Sequence, residues 1–190
     1  MISLIVGLGN VGSKYEGTRH NLGFEVVNLA AKKLKARRLK TSGTYESFSK
    51  GIGNTKLILA RPTTMMNGSG QAVRELLRKY KVMPSEVLIV IDDFNIPLGS
   101  LRLRANSSAG GHNGLSSIIG ELETNEIPRL RLGIGLVPRG VDVIEFVLKR
   151  FKSSELKIVN KMIEMAAEAV IFAAGHRFEV TMSKFNYNPA

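Results

Sequence analysis

The chain contains no cysteine, and this absence excludes several kinds of chemistry at once. Without thiols there is no disulfide bond, no thiolate metal site and no cysteine nucleophile. Long apolar runs are missing too, because no stretch approaches the roughly 20 consecutive apolar residues that a membrane-spanning helix needs. The N-terminal residues lack the features of a secretory signal or a transit peptide, so we expect a cytoplasmic protein with no membrane partner.

Acidic residues are few relative to basic ones. The sequence has 16 Asp and Glu against 27 Lys and Arg, which gives a formal charge of +11 at pH 7. Lys and Arg that replace condensed counterions on a phosphate backbone gain binding free energy, so this excess favours a nucleic acid as partner. An anionic membrane surface and an ordinary solvated basic surface are alternatives that charge alone leaves open.

The length of 190 residues suffices for one substantial core, and we expect a single domain over 1–190. Hydrophobic periodicity predicts strands at 2–6, 55–61, 86–92, 101–104 and 129–136, and helices at 22–34, 69–80, 143–148 and 154–173. Strands and helices interleave along the whole chain. The predicted fold is therefore α/β, a three-layer domain with a central mixed, twisted sheet flanked by helices.

A literal G-x-G-x-x-G motif follows the first predicted strand at 7–12, which is the pattern of dinucleotide-binding folds. Such a fold needs a helix directly after the third glycine and an acidic residue about 20 positions further on. Here Gly12 leads into a loop-like segment, and no carboxylate lies between Glu25 and Glu46. The context argues against nicotinamide binding, and we expect no cofactor.

The loop that follows this motif is rich in polar side chains, among them Asn10, Tyr15 and His20. Loops at strand ends are where a rigid scaffold displays functional groups. His20 is one of three histidines, and it is a candidate general base because an imidazole titrates near neutral pH. Taken alone, such a residue is more often an ordinary loop histidine.

Further loops place polar groups at the ends of predicted strands. They contribute Met66 and Asn67, Asp92 and Asp93, and Gly111 and Asn113. Asp92 ends an apolar strand, so its carboxylate can reach a crevice and orient an imidazole, although capping of the next turn is an alternative. Glycines let backbone N–H groups approach a ligand. The set suits recognition of a peptide backbone beside a pair that activates water.

Missing motifs limit the reaction further. The sequence has neither the G-x-S-x-G elbow of serine hydrolases nor the H-E-x-x-H motif of zinc peptidases. What remains is attack by water without a metal, with a histidine as base and amide groups that stabilise the oxyanion. Such machinery suits an ester, because an alkoxide leaves far more easily than an amine.

Arginines alternate with leucines in two predicted strands. Arg102 and Arg104 therefore share one strand face, and Arg129 and Arg131 share another. If the two strands are neighbours, the four guanidinium groups form a patch suited to bidentate phosphate contact. An ordinary solvent-exposed face is the alternative.

Short motifs occur along the chain in a fixed order. They are Gly7-Leu8-Gly9-Asn10, Tyr15 with Thr18-Arg19-His20-Asn21-x-Gly23, Pro62-x-Thr64-x-Met66-Asn67-x-Ser69-Gly70, Asp92-Asp93, Gly110-Gly111-His112-Asn113-Gly114-Leu115, Arg129-Leu130-Arg131-x-Gly133-Ile134-Gly135 and Met182-x-x-Phe185-Asn186. This ordered set resembles bacterial-type peptidyl-tRNA hydrolases over essentially the whole chain. The resemblance implies a monomeric α/β enzyme without metal or cofactor, which hydrolyses the ester between a peptide, or an N-substituted aminoacyl group, and tRNA.

The resemblance also implies roles for individual residues. His20 would activate the water, Asp92 would orient and stabilise it, and Asn10 would hold the catalytic geometry. Substrate binding is implied for Met66, Asn67 and Asn113 on the peptide side and for Tyr15 on the tRNA side, with Gly111 expected among them. Arg104 and Arg131 match a clamp on the terminal phosphate of the acceptor stem, and His112 would be a local, supporting residue.

Several positions depart from the family's usual residues. Val11 stands where proline is usual, Met65 where an aromatic residue is common, Asn95 where aspartate is usual, and Ser107 and Ser116 replace a glycine and a lysine. The segment 136–139 also departs from a shorter Arg-Pro turn. None of these changes removes a proposed catalytic group, so we expect effects on loop shape and tRNA affinity rather than on activity.

Overall fold

In the part of the chain that the structure describes, the fold is built around one mixed sheet of seven strands. A computed structural model describes residues 1–39, 41–53 and 55–189. The strands are β1 Leu4–Gly7, β2 Arg37–Arg38, β3 Tyr45–Ile52, β4 Thr55–Pro62, β5 Val87–Asp93, β6 Leu101–Arg104 and β7 Arg129–Gly133. The helices are α1 Leu22–Lys33, α2 Ser69–Tyr80, α3 Asn113–Leu122, α4 Val143–Leu148, α5 Leu156–Gly175 and α6 Phe178–Phe185.

The sheet is parallel in its centre and antiparallel at both edges. Its order is β2-β3-β4-β1-β5-β7-β6. Strand β1 pairs in parallel with β4 and β5, and β5 pairs in parallel with β7. The pairs β2–β3, β3–β4 and β6–β7 are antiparallel. The predicted α/β class with a mixed sheet is thus confirmed, while the assignment of 1–190 as one domain stays a prediction.

Two apolar cores cover the two faces of the sheet. Every residue of β1 and β5 is buried, which explains why both strands are nearly continuous apolar runs. Successive side chains of a strand point to opposite faces. Ile5 accordingly packs in the core that α1 and α5 complete, whereas Leu4 and Val6 pack in the core that α2 and α3 complete. Among the described residues, no helix is both long and apolar enough to cross a bilayer.

The N-terminal end of α1 packs directly against the ends of β1 and β5. A Cβ atom built on Gly23 would lie 2.4 Å from Leu8 N and 2.4 Å from Val90 O. Only a residue without a side chain allows this approach. Because His20 lies one turn before Gly23, the same close contact brings the histidine to the carboxyl end of β5, where Asp92 lies.

Most predicted elements are present, but the predicted strand 129–136 was too long. Strand β7 ends at Gly133 because its partner β5 ends there: Ile134 N still donates to O of Asp93, the last residue of β5, but Gly135 N donates to Ile96 O beyond that strand. Gly135 also has a φ of +86°, which ends an extended run. Asp142 is the N-cap residue of α4, since its side chain accepts a hydrogen bond from Glu145 N at 3.0 Å.

The close packing of α1 generates a prediction about stability. Gly23→Ala should lower the free energy of unfolding by about 3 kcal/mol, because the added methyl group meets backbone atoms that cannot rotate away. Gly120→Ala is the matched control: Gly120 lies in α3, and an added Cβ there meets nothing within 4 Å. The control should gain about 0.5–1 kcal/mol through helix propensity. Urea denaturation of both variants is the measurement, and equal unfolding energies would contradict the packing argument.

Candidate active site

The candidate site lies where the central parallel strands end. Asn10 follows β1, Met66 follows β4, Asp92 is the second-to-last residue of β5, and Asn113 begins α3. This edge of an open α/β sheet is the usual place for a ligand. A cavity of about 240 Å³ opens there, lined by Asn10, Tyr15, His20, Met65, Met66, Asn67, Asn113, Ile144, Val147 and Leu148.

A histidine and a carboxylate form the centre of the site. His20 and Asp92 are 8% and 2% exposed. The imidazole Nδ1 lies 2.9 Å from Asp92 Oδ1 and 3.1 Å from Oδ2. An ionised carboxylate only accepts hydrogen bonds, so Nδ1 of His20 is the protonated nitrogen. Nε2 of the same ring consequently holds a lone pair and can take a proton.

A second histidine binds the same carboxylate. His112 Nε2 lies 3.1 Å from Asp92 Oδ1, and His112 Nδ1 accepts a hydrogen bond of 3.2 Å from the backbone N–H of Leu115. Because Nδ1 is an acceptor, Nε2 carries the hydrogen and donates it to Asp92. His112 is therefore both the N-cap residue of α3 and a direct partner of the carboxylate. The sequence interpretation, which made His112 a local supporting residue, did not foresee this contact.

The electrostatics of Asp92 follow from these contacts. Burial raises the pKa of this carboxyl, but electrostatic attraction to the two rings and the hydrogen bonds that His20 and His112 donate together outweigh burial and hold the pKa well below its usual range. Asp92 is therefore an anion throughout the neutral pH range. Because the Asp92 anion lies beside the Nδ1–H group, it stabilises the positive charge that the His20 ring carries once Nε2 has accepted a proton.

Asn10 is held in one orientation by backbone contacts. Its Oδ1 accepts a hydrogen bond of 2.8 Å from Met66 N, which identifies that atom as the oxygen. Asn21 fixes the backbone of Asn10 from both sides, because Asn10 N donates to Asn21 Oδ1 at 2.8 Å and Asn21 Nδ2 donates to Asn10 O at 3.0 Å. The Nδ2 group of Asn10 is thereby left as a donor for a bound molecule. The sequence interpretation missed the role of Asn21.

The rim of the cavity differs from its floor in exposure. Asn67 and Asn113 are exposed and Tyr15 is half-buried, so their polar groups are available to a ligand, whereas Met66 is buried at 4%. The backbone carbonyl of Asn67 accepts a hydrogen bond of 2.7 Å from Ser117 Oγ, which anchors this loop to α3. Gly111 is exposed with a φ of +85° and lies outside the lining of the cavity, next to His112.

The arginine patch needs a correction. Strands β6 and β7 are neighbours, with Arg102 opposite Arg131 and Arg104 opposite Arg129. Arg129, however, is fully buried and donates to the backbone carbonyls of Ile127, Asn125 and Ser107. Burial lowers the pKa of Arg129 to about 10, so it stays charged at neutral pH while it supports the loop before α3.

Arg104 and Arg131, the two arginines assigned to the phosphate clamp, also differ from each other. Arg131 forms an ion pair with Asp93, and its side chain is 20% exposed. Arg104 is exposed at the end of β6. A Cβ atom on Gly110 would lie 3.0 Å from Nη2 of Arg131, and Asn95 Nδ2 donates to the Gly110 carbonyl at 3.0 Å. An aspartate at position 95, the usual residue in the resembling family, has no hydrogen for this bond when it is ionised.

The ligand-type atoms of His20, Asp92 and His112 lie within 4.8 Å of one another, close enough to be considered as a metal site. The nitrogen–oxygen distances of 2.9 to 3.1 Å are those of direct hydrogen bonds between the two imidazoles and the carboxylate. The hydrogen-bond network already uses the nitrogens that face Asp92. This geometry is that of an acid–base site, and the expected absence of a metal stays a prediction.

Comparisons with known proteins agree with this geometry. Residues 4–190 match the family model described as peptidyl-tRNA hydrolase. A peptidyl-tRNA hydrolase of Synechocystis sp. is 47% identical over 184 residues, which cover 96% of this chain and 95% of the relative. That of Sulfurihydrogenibium sp. is 41% identical over 188 residues, with 99% of each chain covered.

A solved structure shows the same similarity in three dimensions. The crystal structure of peptidyl-tRNA hydrolase from Acinetobacter baumannii is similar with a TM-score of 0.92 and 35% identity, and the match covers 100% of this chain and 97% of that chain. Both sequence and fold are therefore shared over nearly the full length. The chain belongs to the peptidyl-tRNA hydrolase family.

Proposed function

We propose that this enzyme hydrolyses the ester bond between a peptide, or an N-substituted aminoacyl group, and tRNA, and so recycles tRNA from prematurely released peptidyl-tRNA. The observation that supports this most directly is the His20–Asp92 pair, which leaves an imidazole lone pair at the edge of a cavity lined by amide groups. Membership of the family agrees with this reaction.

The proposed reaction begins with a water molecule bound at Nε2 of His20. The imidazole removes one proton while the water oxygen attacks the ester carbonyl carbon, and Asp92 stabilises the resulting imidazolium through Nδ1–H. The tetrahedral intermediate then breaks its bond to the 3′ oxygen of the tRNA. That oxygen takes the proton from His20, so the products are the free peptide acid and the tRNA hydroxyl.

Amide groups supply the polarisation that the developing oxyanion needs. Asn10 Nδ2 has a fixed direction because its Oδ1 bonds to Met66 N. We assign Asn67 and Asn113, at the exposed rim, to binding the peptide backbone beside the ester, with Met66 and Gly111 supporting this side of the site. A donor that is already oriented stabilises a transition state without the cost of reorganisation.

The tRNA side is assigned to Tyr15 and to the arginines of β6 and β7. Arg104 is exposed, and its Nη1 donates a hydrogen bond of 3.1 Å to the backbone carbonyl of Leu103, whereas Arg131 must share its guanidinium with the carboxylate of Asp93. The formal charge of +11 favours a polyanionic substrate. We further propose that the enzyme works as a cytoplasmic monomer, without metal or cofactor.

Replacement of the base tests the proposal directly. His20→Ala should reduce kcat for peptide release from a model peptidyl-tRNA by about 10²–10⁴-fold, the usual contribution of a general base. The dissociation constant for the tRNA should stay within about twofold, because the phosphate contacts are retained. The assay is run with and without a chelator; full turnover by the variant, or loss of parent activity with the chelator, would contradict the mechanism.

Replacement of the carboxylate tests the role of the tautomer. In Asp92→Asn the amide cannot supply the anion that stabilises an imidazolium, and an amide can also turn its NH₂ group toward His20. We expect kcat to fall by about 10²–10⁴-fold with little change in KM, because the lost interaction acts in the transition state. Steady-state kinetics measure the split. A large rise in KM at constant kcat would instead assign Asp92 to substrate binding.

The phosphate contacts can be tested by salt dependence. Arg104→Ala and Arg131→Ala should each raise KM more than they change kcat, and each should reduce the slope of log K against log salt by about one. Arg131→Ala should also lower stability, since it leaves Asp93 without its partner. Arg78→Ala, an exposed arginine of α2, is the control. Identical salt-dependence slopes for the parent and both variants would contradict the proposed phosphate contacts of Arg104 and Arg131.

A further inference from the structure

Arg19, the residue directly before His20, is a buried arginine whose contacts lie far along the chain. Its side chain is 5% exposed. Nη2 donates to both carboxylate oxygens of Glu155, at 3.1 and 2.8 Å. Nη1 donates to the backbone carbonyl of Arg150 at 2.5 Å and to that of Lys149 at 3.3 Å. One guanidinium therefore joins the His20 turn to the chain that follows α4.

Aromatic and backbone contacts reinforce the same connection. The guanidinium lies 4.8 Å from the ring centroid of Phe146 and 4.6 Å from that of Phe151, which is cation–π distance for both. Arg19 N donates to Lys149 O at 3.0 Å, and Thr18 forms an isolated bridge with Arg150. The whole contact fastens the C-terminal end of α4 to the turn that carries the base.

The α4 helix depends on such a contact for its position. It has only six residues, Val147 alone is buried, and Ile144 is 59% exposed. A helix this short is not stable by itself. Yet Ile144, Val147 and Leu148 form the apolar wall of the cavity that His20 also lines. Arg19 therefore links this wall to the turn that carries the imidazole.

We propose that Arg19 is a positioning residue that couples the α4 wall of the cavity to the catalytic histidine, so that substrates extending along this wall depend on it more than the shortest substrates do. This inference rests on the proposed function. Lysine cannot replace arginine here, because a single ammonium group cannot bond to the Glu155 carboxylate and two carbonyls in fixed directions while stacked between two rings.

The test compares two substrates and two matched lysine variants. Arg19→Lys should lower kcat/KM about tenfold, mainly through KM, for a peptidyl-tRNA with several apolar residues. For an N-acetyl-aminoacyl-tRNA, which ends near the ester, the same variant should change kcat/KM less than about threefold. Arg74→Lys is the control for the substitution itself, because Arg74 forms a more exposed ion pair with Glu121 at 2.5 Å, between α2 and α3 and away from α4; it should change kcat/KM for neither substrate.

The outcomes separate positioning from general stability. If Arg19→Lys lowers kcat/KM by the same factor for both substrates, or changes it for neither, the proposed coupling is overturned. Glu155→Gln, which keeps the shape but removes the charge, should show the same substrate dependence to a smaller extent. The double variant of Arg19→Lys and Glu155→Gln should lose less kcat/KM than the two single losses together predict. Fully additive losses would contradict a functional interaction between Arg19 and Glu155.

A second measurement does not depend on catalysis. Hydrogen exchange of the amides in 143–150 should be faster in Arg19→Lys than in the parent and in Arg74→Lys, because α4 loses its anchor. Unchanged exchange there would overturn the inference even if the enzyme is active. If the parent protein released no peptide at all, the proposed function would fail, while exchange of the α4 amides would still report on the contact.

Discussion

A buried carboxylate shared by two imidazoles is the interaction on which the site depends. Taking Asp92 out of water costs free energy that only close, oriented donors can offset. His20 and His112 supply those donors from opposite parts of the chain, before α1 and before α3. The anion in turn fixes the tautomer of both rings. Stability and reactivity are therefore linked at this point, because the same two hydrogen bonds that make burial of the charge tolerable also prepare the base.

The rest of the fold can be understood as a means of bringing these groups together. Parallel strands β1, β4 and β5 end at one edge, so the loops that follow them meet there. The glycine at position 23 lets α1 approach that edge closely enough for His20 to reach Asp92. On the far side, the buried Arg129 supports Ser107, and Asn95 holds Gly110. One end of the loop that leads to His112 is thus bound to β7, and the other end is bound to the turn that follows β5.

Much of this arrangement could be predicted from the sequence, and the failures have physical causes. Continuous apolar runs identified β1 and β5, the interleaving of strands and helices identified the mixed α/β class, and the ordered motifs identified the family. Strand β3 was not predicted, because most of its side chains are only partly buried and it follows from pairing with β4. Alternation showed that Arg129 and Arg131 share a face, but not that Arg129 is buried under carbonyl groups. Long-range contacts such as that of Arg19 leave no periodic trace.

His112 performs two tasks with one ring. Nδ1 receives the N–H of Leu115 and so begins α3, and Nε2 steadies the anion under the base. An asparagine or serine could cap the helix equally well, and many side chains could donate a hydrogen bond to the carboxylate. Few side chains, however, have an acceptor and a donor at two edges of one rigid ring. Substitution of His112 is consequently restricted by two independent requirements. A residue that caps α3 but does not donate to Asp92, or the reverse, satisfies one requirement and fails the other.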